Sequence, residues 1–258
     1  MSTSFGENHV QLDPLVAILG LAAGLSIGLT GVGAGSVLTP FLVTVLRMHP
    51  AGAVGSALLF TLVTRGAGSV QHLRQGTADL RTVAWLAAAS VPSALLSLAV
   101  LAHLPFGAPQ TDALRERLIA AALFLAAGVL TWRFVGGRSG HRLGSRWPLL
   151  ALGTLLGVTV ATTSVGTGSV GLAGLALLTP LGAATLVGTD TLHGAILAAV
   201  TAPVYLAQGS VDLASTANLL IGSIPGVLVG SRLAARMPER VTRLTVLLAV
   251  WSLAFKLA

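Results

Sequence analysis

The chain has 258 residues, of which 54% are hydrophobic and only 9% are charged. A soluble domain carries about 25% charged residues, so this chain has too few polar groups to cover a water-facing surface. The formal charge is +7, and all but one of its 15 cations are arginine. The arginines gather in short gaps between apolar runs, which is typical of cytoplasmic loops and not of a nucleic-acid-binding face. No cysteine is present, which excludes disulfides, thiolate metal sites and cysteine nucleophiles.

Ten apolar segments follow in chain order, five in each half. They cover 14–30, 36–47, 51–72, 81–104 and 117–135 in the first half, and 148–163, 169–180, 184–206, 214–233 and 241–257 in the second. A full membrane span needs about 20 residues, and the third, fourth and fifth segments of each half qualify. The second segment of each half is too short to cross alone. The pattern predicts an all-α polytopic membrane protein with short broken or re-entrant helices.

Two phrases that occur once in each half mark an internal repeat. VGAGSV at 32–37 returns as VGTGSV at 165–170, and QGTADL at 75–80 returns as QGSVDL at 208–213. Arginines are dense beside the loop after the third segment in the first half, but after the fourth segment in the second half. Because Lys and Arg favour the cytoplasmic side, corresponding loops should face opposite sides of the membrane. This predicts two inverted-topology repeats that meet near the bilayer midplane.

The predicted organisation follows from the repeat and from the arginine-rich gap between the halves. It comprises an external tail at 1–13, a first transmembrane repeat at 14–135, a cytoplasmic linker at 136–146 and a second transmembrane repeat at 147–258. Both termini then lie outside the cytoplasm.

Glycine and serine interrupt the apolar pattern at equivalent places, GVGAGS at 31–36 and SVGTGS at 164–169. Irregular backbone is tolerated in a membrane only inside protein or beside a water-filled cavity. A short helix should begin directly after each break, with Ser36 and Ser169 at N-cap positions. The free amides of two such helix starts, meeting at the midplane, predict an oxyanion site; close helix packing is the alternative explanation for the glycines. The candidate ligands are Gly33, Gly35, Ser36, Gly166, Thr167, Gly168 and Ser169.

A few ionisable residues lie inside predicted spans, where they are costly and often functional. Asp190 and His193 share a helix face and are candidates to carry or gate a coupling proton. Two alternatives stay open: protonated His193 balances the anionic substrate while Asp190 holds its ring, or a hydrogen bond between them only fixes packing. Arg65 is a candidate oxyanion ligand, with snorkelling to the cytoplasmic face as the alternative. His72 and Tyr205 are repeat equivalents near opposite mouths and are candidate gates, unless interfacial placement explains them.

The order of these motifs resembles the TauE/SafE sulfite exporter family of membrane permeases. The resemblance covers roughly 14–255 and rests on the glycine-rich first segments, on VGSALLF at 54–60 and VGTDTLH at 187–193, and on the helix SVPSALL at 90–96. It implies a permease of the cytoplasmic (inner) membrane of a bacterium or archaeon, for sulfite or a small organosulfonate.

The leading interpretation is a secondary transporter of a small sulfur-containing oxyanion, with a proton as the candidate coupling ion and without enzymatic activity. Its expected partners are the anionic substrate and membrane lipid, not nucleic acid; no cofactor or metal is expected, and a homodimer stays open. Two alternatives also stay open. A passive anion channel would use the same site without titration of Asp190 and His193, and an intramembrane hydrolase would use Ser36 or Ser169 as nucleophile and His193 as base.

Overall fold

The computed structural model describes residues 14–30, 34–103, 109–135 and 146–234, together with Leu248, Trp251 and Phe255. Within these residues every named element is a helix, as the apolar segments predict. In chain order the helices are α1 (Pro14–Thr30), α2 (Ala34–Thr44), α3 (Pro50–Arg74), α4 (Leu80–Ala102), α5 (Pro109–Val135), α6 (Trp147–Thr163), α7 (Val170–Leu178), α8 (Ala183–Ala207) and α9 (Leu213–Ala234).

The apolar pattern predicts where the helices lie but not all of their ends. α5 begins at Pro109 rather than at 117, because proline suits the first position of a helix and Asp112 lies in the first turn, where a carboxylate is favoured. α2 already includes Ala34, so the prediction that Ser36 caps a helix starting after it is wrong. Ser169 does occupy the N-cap position of α7, although its side chain makes no capping hydrogen bond.

Three of the described helices, α3, α4 and α8, are long and apolar enough to cross a membrane. Shorter apolar stretches occur in α1, α2, α6 and α9. Apolar side chains on α4, such as Leu96 and Val100, are exposed, as expected of a helix surface that faces lipid rather than water. The described helices therefore have the length, composition and outer surface of a multi-pass membrane protein.

Helices α1 and α9 pack closely because glycines of α1 lie directly on the backbone of α9. A Cβ on Gly20 would lie 2.5 Å from the carbonyl oxygen of Leu219, and a Cβ on Gly24 would lie 2.7 Å from Cα of Ser223. Residue numbers rise together along both helices, so α1 and α9 run in the same direction.

The same contact recurs between α4 and α6, with the two halves of the chain exchanged. A Cβ on Gly153 would lie 2.5 Å from the carbonyl oxygen of Leu86, and a Cβ on Gly157 would lie 2.9 Å from the carbonyl carbon of Ser90. These four residues are the repeat equivalents of those in the α1–α9 contact. Helices α4 and α6 therefore also run in the same direction.

The third helices of the two halves, α3 and α8, pack against each other in opposite directions. A Cβ on Gly55, early in α3, would lie 3.0 Å from Cβ of Tyr205, late in α8. At the other end, a Cβ on Gly188 would lie 3.0 Å from Nδ1 of His72. These two contacts are again repeat equivalents, so exchanging the halves reproduces the interface.

The turns that follow α3 and α8 are fastened in equivalent ways. The Asp79 backbone N–H donates to Oγ1 of Thr189 at 3.0 Å, and the Asp212 N–H donates to Oγ of Ser56 at 3.3 Å. Both aspartates also cap the helix that follows them: the Asp79 carboxylate accepts from the Arg81 N–H. The turn between α3 and α4 is therefore bonded to α8, and the turn between α8 and α9 is bonded to α3.

The predicted tail at 1–13 and most of the predicted linker at 136–146 lie outside the described residues. Arg146, the last residue of that linker, is described; its guanidinium lies 4.6 Å from the ring centroid of Trp85. The predicted tenth segment is described only at three residues. One of them, Trp251, donates from Nε1 to Oγ1 of Thr131 on α5 at 3.0 Å.

Candidate functional site

The second glycine break is a real interruption between two helices. α6 ends at Thr163, α7 begins at Val170, and the residues between them are buried. Gly166 and Gly168 have φ values of 144° and 87°, a conformation that side chains disfavour and glycine adopts freely. The break therefore depends on glycine at these two positions. Thr167 lies buried between them.

The two breaks, far apart in sequence, meet inside the protein. Oγ of Ser36 lies 3.2 Å from Oγ of Ser169, its repeat equivalent 133 residues later, and neither side chain has any exposed surface. Next to this pair, Gly35 lies against the backbone carbonyl of Ser164, too close for any side chain. Gly33, the remaining candidate of the first break, lies outside the described residues.

Two more hydroxyl groups belong to this region, and neither is among the ligands predicted from the sequence. Oγ of Ser164 and Oγ1 of Thr39 are buried without a hydrogen-bond partner. Thr39 follows Ser36 by three residues in α2, a spacing that places the two on one helix face, and that spacing is the signal that could have found it. Buried hydroxyls without partners are uncommon, so the region where the two glycine breaks meet has hydroxyl donors that no described hydrogen bond uses.

Arg65 is neither free nor snorkelling: it forms an ion pair inside the helix bundle. Its Nη1 donates to Oδ2 of Asp190 at 2.9 Å and to the Asp190 backbone carbonyl at 3.0 Å. The side chains are 12% and 5% exposed, respectively. The guanidinium also lies against Gly194, where a Cβ would come within 2.5 Å of Nη1. The third helices of the two halves are thus joined by opposite charges.

The second carboxylate oxygen of Asp190 points to α7. A Cβ on Gly171, in the first turn of α7, would lie 2.5 Å from Oδ1 of Asp190. This Oδ1 is buried and has no hydrogen-bond partner. The first turn of a helix carries partial positive charge, so the carboxylate lies where an anion is favoured. Asp190 therefore links Arg65 to the helix that begins at the second glycine break.

His193 does not pair with Asp190, as one of the sequence hypotheses supposed. Its Nε2 lies 2.8 Å from Oγ of Ser90 on α4, whereas its Nδ1 is buried without a partner. Ser90 was not singled out as a site residue, and only its position in the repeat marked it. The described hydrogen bond of His193 thus goes to Ser90, not to Ser36 or Ser169, the two nucleophiles that the hydrolase hypothesis named.

The two candidate gates occupy equivalent places but have different surroundings. Tyr205 is 1% exposed, and its hydroxyl donates to the backbone carbonyl of Ala161 at 2.8 Å. His72 is partly buried, with Nδ1 lying 2.8 Å from Oγ1 of Thr77. Tyr205 therefore fastens α8 to α6 inside the protein and does not lie at an interface with water.

The ionisable residues of this cluster, one from the first half and two from the second, have uncharged equivalents in the repeat. The repeat equivalents of Asp190, His193 and Arg65 are Ala57, Phe60 and Ala198, all fully or almost fully buried. Ala57 and Phe60 belong to an apolar core that also includes Leu38 of α2. The site is thus built on a repeated backbone, but its ionisable side chains are not repeated.

The family profile described as sulfite exporter TauE/SafE matches residues 16–257. The chain is 34% identical over 236 residues to the probable membrane transporter protein YjnA of Bacillus subtilis (strain 168), an alignment that covers 87% of this chain and 91% of the relative. No solved structure matches.

Proposed function

Because the chain belongs to the TauE/SafE sulfite exporter family and is a multi-pass membrane transporter, we propose that it moves a small sulfur-containing oxyanion. Sulfite or a small organosulfonate is the proposed substrate class, and secondary transport across the cytoplasmic membrane is the proposed mode.

The contact between the two glycine breaks is the observation that carries the proposal. Ser36 and Ser169 place two buried hydroxyls 3.2 Å apart, beside the unpartnered hydroxyl of Ser164. A tetrahedral or pyramidal oxyanion needs several donors that converge from different directions. Hydrogen bonds to charged groups contribute about 1.5–3 kcal/mol each, so three or four such donors can hold an anion without a metal.

The helix that begins at Ser169 supplies a second favourable feature for an anion. The N-terminus of this helix carries about half a positive charge, and within its first turn the Gly171 N–H donates to the Gly166 carbonyl at 2.9 Å. Gly171 lies directly against the Asp190 carboxylate, which comes this close because glycine has no side chain. Gly166 and Gly168 likewise allow the backbone to come near a bound oxygen.

Transport requires that the site face each side of the membrane in turn, and an inverted repeat is one way to achieve this. We propose that the two halves are related in this way. Support comes from helix direction: α3 runs opposite to α8, whereas α1 runs in the same direction as α9, and α4 in the same direction as α6. With both termini outside the cytoplasm, the arginine-rich turn after α3 would face inward.

A proton is the proposed coupling ion. Asp190 and His193 are 3% and 0% exposed within α8, and ionisable groups buried in a membrane are costly and typically functional. A passive channel has no need of them. Concentrative uptake of sulfite into proteoliposomes, driven by an imposed proton gradient, separates a coupled transporter from a channel.

A binding screen in detergent tests the proposed substrate class. Purified protein is heated with sulfite, sulfate, thiosulfate, sulfoacetate, taurine or small carboxylates, since a ligand at 100 times its Kd stabilises the folded state by about 2.7 kcal/mol. We expect sulfite or a sulfonate to raise the Tm. Ser169→Ala should weaken that binding about tenfold or more, whereas Ser97→Ala, which removes only a hydroxyl bonded within α4, should not. Equal loss in both variants, or no response to any anion, contradicts the proposal.

A further inference from the structure

We propose that Asp190 is an internal competitor of the transported anion. Its carboxylate occupies surroundings that favour an anion, formed by Arg65 and the first turn of α7, and its protonation makes these surroundings available to substrate. This inference rests on the function proposed above and assigns Asp190 a role that a coupling proton alone does not require.

Both described hydrogen bonds of Arg65 use Nη1, and both acceptors belong to Asp190. Nη2 and Nε make none of the described hydrogen bonds, and these two nitrogens form an edge of the guanidinium that suits bidentate oxyanion recognition. The charge of Arg65, however, is neutralised by Asp190 as long as that carboxylate is ionised.

The other oxygen of the Asp190 carboxylate, Oδ1, is buried without a hydrogen-bond partner, beside Gly171 in the first turn of α7. An ionised oxygen in this position gains from the helix dipole, just as a substrate oxygen would. Ser169, the proposed ligand at the start of α7, is two residues from Gly171. The carboxylate and the substrate therefore draw on the same helix end.

Among the described residues, several charged or titratable groups lie near Asp190. His72 of α3 lies beside Gly188 of α8, two residues before Asp190. Arg65 faces Asp190 from α3, and His193 shares its helix, with Ser90 of α4 bonded to that histidine. Asp79, at the start of α4, contacts α8 through its backbone N–H at Thr189. Helices α6 and α7 carry no ionisable side chain. Protonation of Asp190 therefore leaves Arg65 as the unbalanced charge of the cluster, unless an anion binds.

The balance of the cycle is simple. One proton adds to the carboxylate of Asp190 and gives a neutral acid, and one anion then pairs with Arg65 and the first turn of α7. Release of the anion on the other side restores the ion pair and returns the proton to water. One proton thus moves with each anion, and no bond other than O–H is formed or broken.

The other half of the protein argues that this arrangement serves function and not folding. The equivalents of Asp190 and Gly171 are Ala57 and Leu38, both buried in an apolar core. The corresponding positions of α2 and α3 therefore carry hydrocarbon and no charge.

Asp190→Asn tests the inference, because the competitor role predicts that sulfite binds more tightly when this buried negative charge is removed. The variant keeps the size of the side chain but not its charge. We expect the affinity for sulfite at alkaline pH to rise about tenfold, because asparagine carries no negative charge that competes for Arg65, and we expect the wild type to approach the variant as the pH falls. Because sulfite has the same protonation state for both proteins at each pH, the ratio of their affinities isolates the titration of the protein.

Three comparisons protect this test from a trivial outcome. Asp212→Asn makes the same chemical change at a helix cap, where asparagine also serves, and should leave sulfite binding unchanged. If Asp190→Asn unfolds because Arg65 is left unpaired, Arg65→Gln with Asp190→Asn removes both charges and should bind sulfite weakly, without the pH dependence of the wild type. In proteoliposomes, Asp190→Asn should exchange sulfite but should not accumulate it in response to a proton gradient.

The outcomes separate this inference from the proposed function. A folded Asp190→Asn protein with unchanged or weaker affinity, or a double variant that keeps the wild-type pH dependence, overturns the competitor role while sulfite transport by the wild type stands. A wild type that neither binds nor transports sulfite overturns the proposed function, and the competitor role with it.

Discussion

Gly171 is the residue at which the shape of the backbone and the charge of the site depend most directly on each other. A Cβ at this position would lie 2.5 Å from Oδ1 of Asp190, and Asp190 cannot easily move away because Arg65 holds its other oxygen. We expect Gly171→Ala to lower the free energy of unfolding by about 1–3 kcal/mol through overpacking. Thermal unfolding in detergent measures the change.

Gly128 provides the matched control for that substitution. It also lies within a helix, but a Cβ there would meet nothing within 4 Å. Gly128→Ala should therefore be neutral, or stabilising by up to about 1 kcal/mol through helix propensity. Similar destabilisation in both variants would mean that the contact between Gly171 and Asp190 is not the cause.

Tyr205 has a hydrogen bond that distinguishes an anchor from a gate. Its hydroxyl donates to the Ala161 carbonyl at 2.8 Å, so Tyr205→Phe leaves that oxygen with one partner fewer. We expect the free energy of unfolding to fall by about 1 kcal/mol, with the rate of sulfite exchange retained. A variant of unchanged Tm whose exchange is much slower or faster would favour the gate that the sequence suggested.

The sequence predicted some partners of these residues and not others, for a physical reason. Ser36 and Ser169 are equivalents in the repeat, and in the proposed two-fold arrangement equivalents meet where they lie on the axis. Their contact was therefore within reach of the sequence. Arg65 and Asp190 lie 125 residues apart and are not equivalents, so the repeat gives no indication that they pair. Such a pair follows only from how α3 packs against α8.

At the scale of the helices, glycine sets how closely neighbours approach. The apolar pattern located each described helix but could not identify its neighbours, because lipid and protein interior are equally apolar and the periodicity is weak. The glycines supply the missing information: small residues let backbones touch, and they do so where α1 meets α9 and where α4 meets α6. A helix pairing could thus be proposed from glycine positions, but not its direction.

Equivalent glycines should have equivalent energetic roles in these two interfaces. A Cβ on Gly20 would lie 2.5 Å from the Leu219 carbonyl oxygen, and a Cβ on Gly153 would lie at the same distance from that of Leu86. We expect Gly20→Ala and Gly153→Ala each to lower the free energy of unfolding by about 1–3 kcal/mol, and by similar amounts. Gly66→Ala, whose Cβ would meet nothing within 4 Å, serves as control. A large cost for only one of the pair would argue that the interfaces are not equivalent.

For the whole molecule, the repeat and the asymmetry of charge have separate consequences. The glycine contacts of α1 with α9 and of α4 with α6 are repeat equivalents, and those between α3 and α8 exchange with each other, which would let two arrangements of similar energy exist. Arg65 and Asp190 break that equivalence, because their counterparts Ala198 and Ala57 are apolar. A transporter of this design can favour one facing state when its ion pair is intact and the other when an anion has replaced it. The direction of transport would then be set by the proton gradient, not by the fold.

The orientation of the halves in the membrane can be tested with single cysteines, because the chain has none of its own. Gln75 and Gln208 are repeat equivalents, both exposed, and both follow the last turn of a long helix with φ of −83° and −78°. Cysteine is tolerated at such angles. The arginines beside Gln75 favour the cytoplasmic side, and no cation lies between 207 and 213. A membrane-impermeant maleimide applied to intact cells should therefore label Gln208→Cys at once and Gln75→Cys only after the membrane is permeabilised. Labelling in detergent shows that both thiols are reactive, so labelling of both cysteines from the same side would mean that the halves are parallel and would remove the inverted repeat from the mechanism.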